Sequence, residues 1–511
     1  MRCAVLALVL LVSMSTTYGS GRDDEPVTLD VARLVDLSGT AIPAVALFRY
    51  DPSSSGFVPI PFQFDERLDR VFNVGTEFEF TEVGMYDVLG EEDGILDDDD
   101  QLVFMFRDGG TQRAPAQAPW PTGAGADRWE IEVLDPRPGV NSPPRWVYLY
   151  EGTALPLSNV RYVDWNGLAD ASITSSRFRL DYTGNWLLTG IAVLPPCGDG
   201  VDLIDRLKGR ARTVGTLTED EENWSANSTF LGAKVGPVRA IRYVRGATSG
   251  VNTIYYDLVY DTFVSRTVNL RVHPLQEIWF YADWRLDSSL TLFTPTKRSG
   301  LKVDGLNDAG VSSSWADWTV MRGPRGGLLS LFDVPDSVLY QDKQFYYRDD
   351  ASYNDQVPLN PEYGDEDDRA IGDHGLRVVG LRDSQINAIV LRIRMYPLCR
   401  AEGDASWGDL YRQLADTPLD ADAYRQDRGL VAVRALRVGR NGNDAVLSWE
   451  TQAAATSYRI YAAGSPNLPH ASWTLLAEVS TNTFTDPAGT LFGALQVYSV
   501  VPVAAGIEGP W

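Results

Sequence analysis

The chain has 511 residues, with 69 acidic against 45 basic side chains and a formal net charge of −24 at neutral pH. That balance excludes nucleic acid or an anionic lipid surface as the main partner, because both demand basic surface. It suits solubility and divalent cations. Five of the basic residues are Lys and 40 are Arg. Arg forks pair carboxylates in two-point geometry, and a GC-rich coding sequence would give the same bias.

Residues 1–19 read as a cleavable export signal. Arg2 supplies one positive charge, residues 4–14 are apolar, and Thr17-Tyr18-Gly19 offers small residues at a cleavage site. The run is short for a bilayer span, so an N-terminal anchor is the second reading. The expectation is a secreted, periplasmic or surface-displayed chain with no integral membrane segment after cleavage. Of three Cys, removal of the signal leaves Cys197 and Cys399. An oxidising compartment permits a bridge between them, and two separate buried thiols are the alternative.

Beyond the signal, period-two alternation and aromatic or β-branched runs between turn residues predict an all-β fold of several β-sandwiches. Residues 27–163 are expected as an N-terminal sandwich domain, with strands around 44–48, 62–64, 102–106, 129–133 and 145–150. Within it lies the acidic turn 90–100. Glu91, Asp93, Gly94, Asp97 and Asp100 fall at the third, fifth, sixth, ninth and twelfth places of a calcium loop. A hard cation wants several oxygens on tightly curled backbone, and Gly94 permits the curl. Glu91, Asp93, Asp97 and Asp100 are therefore candidate calcium ligands. Leu89 stands at the first ligand place and no helix pair is expected, so the turn is no EF-hand. A solvated acidic hairpin is the alternative, and no organic cofactor is expected.

Residues 164–400 are expected as one large antiparallel sandwich. The run 277–284 carries aromatics on both faces and predicts a central strand between two layers. Residues 201–208 and 407–414 have the clearest helical spacing. The stretch from Gly232 to Arg242, including Gly236-Pro237-Val238-Arg239, with the long alternating block after it, resembles the β-sandwiches of bacterial polysaccharide lyases and sugar mutarotases. What that resemblance implies is a carbohydrate-active centre using Tyr, His, Arg or Lys, for which Arg239, Arg242, Lys234 and Tyr255 are available.

Of three His, His374 in Ile371-Gly372-Asp373-His374-Gly375 is the best catalytic candidate, beside Tyr255 and Arg239; a turn histidine without catalytic duty is its bland counterpart. No Gly-x-Ser-x-Gly elbow accompanies His273 or His374. A second acidic run at 364–368 lies in a Pro- and Tyr-rich segment expected as loop. Tyr346, Tyr347, Tyr353 and Tyr363 punctuate it and are candidate carbohydrate-stacking rings. An exposed loop with solvating charge is the alternative.

Residues 401–428, acidic and Pro-punctuated, are expected as a linker with a short helix. Residues 429–511 then carry Trp449 after Val446-Leu447, the strand Tyr458-Arg459-Ile460-Tyr461, and the run from Val497 to Val503. They resemble a fibronectin type III domain of the bacterial secreted kind, which implies an immunoglobulin-like, seven-stranded sandwich serving as spacer or binding module. The corner tyrosine of that family has no clear match, since Tyr498 sits about two places late. The functional expectation is an extracellular protein that binds glycan or a surface protein. A lyase or hydrolase centred on the middle block is the alternative, and a structural cell-surface component is the third reading.

Overall fold

The computed structural model describes residues 21–509 apart from 75–77, 116–117, 141, 214–217, 248–249, 272–274, 288, 309, 355–368, 383–387, 428–432, 434, 453–454, 467, 488–495 and 505–506. Among the described residues strand accounts for 53 % and helix for 8 %, the balance of an all-β, multi-domain fold.

A nine-stranded antiparallel sheet organises the molecule. Its strands run in the spatial order Thr229–Val235, Ala240–Ala247, Gly250–Val259, Val264–Arg271, Ala388–Leu398, Gly327–Asp333, Trp318–Arg322, Leu290–Phe293 and Leu301–Val303. Alternation sends Val259, Val264, Val268, Leu391 and Ile393 to one face and Ile241, Tyr243 and Ile254 to the other. Both faces are apolar, so both must be covered.

Two sheets cover the inner face and share its core with it. One has five strands, in the order Thr218–Asp220, Ile204–Thr213, Leu275–Trp284, Arg369–Val379 and Asp342–Asn354. The other has four, Val163–Asp164, Ile173–Ser175, Phe178–Thr183 and Leu187–Val193. The helical spacing at 201–208 is overruled here. Ile204–Thr213 is a strand with Leu207 and Ala211 in the core, because its intervening cations all find carboxylates on adjoining segments.

The N-terminal part covers the outer face. Its own core lies between a three-stranded sheet (Pro26–Asp30, Gln101–Met105, Gln63–Asp65) and a five-stranded one. The latter comprises Asp420–Asp427, Ala124–Leu134, Arg145–Gly152, Val45–Asp51 and Gly56–Pro59. Part of the stretch expected as linker is thus an edge strand: Asp420–Asp427 pairs antiparallel with Ala124–Leu134, from Asp420 opposite Leu134 to Asp427 opposite Asp127. Its small residues Ala421 and Ala423 face the core, while Arg33 holds Asp422 at 2.7 Å. Acidic composition hid a strand whose inward positions are small.

Two further elements close the outer face. A hairpin, Arg67–Val74 with Phe78–Tyr86, lays Phe72 and Met85 on Ile241, Tyr243 and Ile254. The helix Ala405–Asp416 packs Tyr411 and Leu414 near Trp318. A Cβ at Gly408 would lie 2.3 Å from the Trp318 ring, so the glycine sets that approach. The buried Arg239 guanidinium joins the two parts. It bonds Asp65 at 2.8 Å, the Tyr260 hydroxyl at 2.6 Å and Gln101 at 2.9 Å.

The C-terminal residues form a sandwich of three strands (Arg437–Asn441, Asp444–Ser448, Thr483–Asp486) against four (Thr474–Val479, Ser457–Ala463, Val497–Ala504, Ile507–Glu508). Leu447, Trp449, Tyr458, Ile460 and Val500 fill it. Among the described residues, no helix is long and apolar enough to cross a membrane.

Cys197 and Cys399 are disulfide-bonded across 202 residues of sequence, tying the loop after Leu187–Val193 to the end of Ala388–Leu398. Closing so long a loop stabilises by on the order of 2–5 kcal/mol. The double variant Cys197→Ser/Cys399→Ser is expected to unfold at lower urea concentration with an intact β-sheet circular dichroism spectrum; an unchanged midpoint would count against that contribution.

Candidate functional site

The five-stranded sheet of the central sandwich turns one face to the core and carries chemistry on the other. Pairing register sets this second face. Arg206 lies opposite Asp283, Lys208 opposite Tyr281, Arg210 opposite Trp279 and Arg212 opposite Glu277. The next strand adds Arg377 opposite Trp279, and the edge strand places Tyr346 opposite Gly375. One alternating row of four cations, in a chain of net negative charge, thus faces aromatics and acids.

Burial deepens along the face. At its accessible end Trp279 is half-buried, with the Arg212 and Arg377 guanidinium groups 5.8 and 5.3 Å from its ring centroid. Glu277 joins both, accepting from Arg377 and lying 3.2 Å from Arg212. Further in, Tyr281 packs on Tyr346 with centroids 4.7 Å apart. Deepest is Lys208, wholly buried, its ammonium 2.9 Å from Asp283. Arg206 reaches Glu222 at 2.8 Å and Arg210 reaches Glu221. Asp373 is also fully buried. Removing one member of so buried a pair leaves an uncompensated charge and costs about 3–5 kcal/mol.

The residues singled out from sequence are dispersed. Tyr346, Tyr347 and Tyr353 lie in the strand Asp342–Asn354 where a loop was expected, because Asp349 is satisfied by the backbone N–H groups of Asp304, Gly305 and Gly372. Within a strand, consecutive side chains point apart. Tyr346 faces Tyr281, whereas Tyr347 packs against the core and donates to Asp308 at 2.7 Å. Exposed Tyr353 carries the Arg348 guanidinium 3.8 Å above its ring. The three rings form no common platform. Tyr363, the acidic run 364–368 and His273 lie outside the described residues.

His374 is a core histidine rather than a loop one. It lies in Arg369–Val379, 2 % exposed, stacked on Trp284 at 6.0 Å. Burial pushes its pKa down to about 4, against a bond from Nδ1 to the Gly372 carbonyl. Tyr255 and Arg239 occupy opposite faces of the nine-stranded sheet. Tyr255 belongs to a buried inner network, where Arg242 donates to its hydroxyl and Arg266 stacks at 4.8 Å while making a two-point bond to Asp257 at 2.8 Å. The Tyr182 hydroxyl donates to the same Asp257 at 2.9 Å. His374, Tyr255 and Arg239 therefore share no site.

In the acidic turn, the candidate ligands divide. Glu91 pairs with Arg70, and Asp93 accepts from the backbone of Ile95 at 2.9 Å. Asp97 and Asp100 instead converge with Asp99, one carboxylate oxygen from each lying within 4.8 Å of the other two. Asp100 is buried and accepts from the backbones of Arg67 and Asp97, each at 3.0 Å. Desolvation and neighbouring Asp97 push Asp99 up to about 6, and burial with Asp97, Glu66 and Asp100 also raises Glu92. This arrangement can take a hard cation, which prefers oxygen ligands.

Sequence reasoning passed over Lys208, Arg212, Glu277 and Trp279 as a group. The signal was the alternation Arg206, Lys208, Arg210, Arg212, legible once 204–213 is taken as a strand. The chain matches no family model, and no curated protein matches it.

The lowered His374 pKa has a definite sign. Between its ordinary 6.5 and about 4, the unfolded chain binds more protons than the folded one, so stability present above pH 6.5 is lost as pH falls towards 4. Urea unfolding between pH 7 and 4.5 is expected to show this fall, and His374→Gln is expected to flatten that part of the profile while lowering stability at pH 7.

Proposed function

We propose that this chain is an exported protein that binds a glycan outside the cytosol through the five-stranded sheet, with the C-terminal sandwich as a fibronectin type III-like spacer. The observation that carries the reading is Trp279: a half-buried indole on a sheet face, flanked by two guanidinium groups and Glu277. Such a ring stacks on the C–H face of a sugar, and fixed donors and acceptors beside it meet hydroxyls. Export is supported by the signal-like residues 1–19 and by the bonded Cys197 and Cys399, since disulfides persist in oxidising compartments. The spacer reading is supported by the three-plus-four strand arrangement around Trp449. A glycan array with the mature protein is the test. Retention of at least one polysaccharide, weakened about tenfold or more in Trp279→Ala (~1.4 kcal/mol), is the expected outcome. Silence across the array, or a Trp279→Ala protein that binds as before, would refute it.

One observation favours a second reading, that of a carbohydrate-active enzyme: Lys208, Asp283 and Tyr281 come together at the buried end of the same face, where paired titratable groups can serve acid–base chemistry. Product analysis of any retained glycan separates the two, because new reducing or unsaturated ends appear only with catalysis.

The reading includes a structural calcium ion at Asp97, Asp99 and Asp100. Desolvation and the neighbouring Asp97 carboxylate raise the Asp99 pKa, so in metal-free buffer stability from this group is lost as pH rises from about 4 through about 6. Asp99→Asn is then expected to raise the melting temperature at pH 7.5 in a chelator. In millimolar calcium the wild-type chain should gain stability and the variant should not. Equal melting temperatures with and without calcium would remove the ion from the proposal.

A further inference from the structure

A second concavity lies at the end of the central sandwich, where three segments that are distant in sequence converge. They are the residues leading into the strand Ile204–Thr213, those leaving the strand Leu275–Trp284, and the turn Gly323-Pro324-Arg325-Gly326 between two strands of the nine-stranded sheet. The cavity holds about 210 Å³, with Asp202, Trp284, Arg285, Asp287, Pro324 and Arg325 in its wall. Clefts for drug-sized ligands start at about 300 Å³, so this one suits a single small ring.

The wall is fixed before any ligand arrives. The Asp202 carboxylate accepts from the Ile191 backbone at 2.7 Å. Arg285 donates through Nε to the Ile204 carbonyl at 3.0 Å and lies 3.4 Å from Asp202 and 3.7 Å from Asp205. Arg325 donates through Nε to Asp287 at 2.9 Å. The turn that carries Arg325 is closed by a bond from Gly323 N–H to the Gly326 carbonyl at 3.0 Å. The indole N–H of Trp284 is buried and has no acceptor among the described residues, which in a native interior calls for an explanation.

Asp202 and Asp205 meet the Arg285 guanidinium and Asp287 meets that of Arg325, so the wall carries no net positive charge. An anion would have to compete with Asp202 and Asp287 for the guanidinium groups. A hydroxyl, which donates and accepts at once, can add to a mated pair without breaking it. We infer that this cavity binds one neutral, hydroxyl-rich ring, the terminal residue of a sugar chain. None of the residues that define the Trp279 platform takes part, so the cavity stands or falls apart from that reading. If both hold, the protein grips a glycan along its length on one surface and reads its end at another. Burial also pushes the Asp202 carboxyl up to about 6, which lets it donate as well as accept towards hydroxyls in mildly acidic surroundings.

The test is saturation-transfer NMR and titration calorimetry on the full mature chain. The probes are methyl glycosides of glucose, galactose, mannose and xylose, with glucuronate as the anionic comparison. Transfer to at least one neutral glycoside is expected, with affinity reduced about tenfold in Arg325→Ala (~1.4 kcal/mol) and unchanged in Arg440→Ala, a surface substitution in the C-terminal sandwich. Arg325 and Asp287 are partly exposed, so Arg325→Ala and Asp287→Asn should both fold, and each should weaken the same glycoside. Absence of transfer to every neutral probe, wild-type affinity in both Arg325→Ala and Asp287→Asn, or preference for glucuronate would each overturn the assignment. Failure of the platform reading shows separately, as polysaccharide retention unaffected by Trp279→Ala.

Discussion

A nine-stranded sheet with apolar side chains on both faces cannot stand alone in water, and the rest of the molecule answers that constraint. The inner face takes two smaller sheets and with them the largest core. The outer face takes the hairpin containing Phe72 and Met85, the strand containing Val103 and Met105, and the helix containing Tyr411 and Leu414. The N-terminal part and the central sandwich are consequently not beads on a string. The strand Gln101–Met105 contributes alternately to the N-terminal core through Leu102 and Phe104 and to the central outer face through Val103 and Met105. One five-residue strand is shared by two cores.

Charge burial follows the same logic. Arg239, Arg242 and Arg266 are all nearly inaccessible on or beside the nine-stranded sheet. Each is met by carboxylate, phenol or carbonyl oxygen: Arg239 by Asp65 and Tyr260, Arg242 by Tyr255 and the Gly184 carbonyl, Arg266 by Asp257. The planar fork suits this work better than an ammonium group, which gives the Arg-over-Lys bias a structural use. These pairs need not add net stability, because desolvation offsets much of the attraction. They do fix register, since a one-residue slip would turn each guanidinium away from its partner.

The polar face of the five-stranded sheet differs from these networks in one respect. The inner network around Tyr255 is closed on all sides, whereas the row from Arg206 to Arg212 runs from full burial to solvent. At the exposed end, Glu277 holds two guanidinium groups around one indole. That gradient lets a rigid, buried foundation orient an accessible aromatic surface. The cavity at Trp284 adjoins the same strand at its other end, so a single strand, Leu275–Trp284, connects the proposed platform and the proposed sugar cavity.

Period-two alternation was enough to announce sheets, and the run 277–284 to announce a central strand, because side-chain direction in a strand is a local property. The helix around 407–414 was equally legible from its spacing. The sequence could not announce which strands share a sheet. Residues 420–427 look like linker until Ala124–Leu134 is placed beside them. Residues 201–208 look helical until Arg206 and Lys208 meet Asp283, Glu221 and Glu222. Tyr346 and Tyr347 are neighbours in the chain but lie on opposite faces. His374, which reads as a loop histidine between glycines, is buried against Trp284. Local pattern thus determined the class of fold, and composition the net acidity. Only long-range pairing decided where each charge and ring came to rest, since that depends on partners tens to hundreds of residues away.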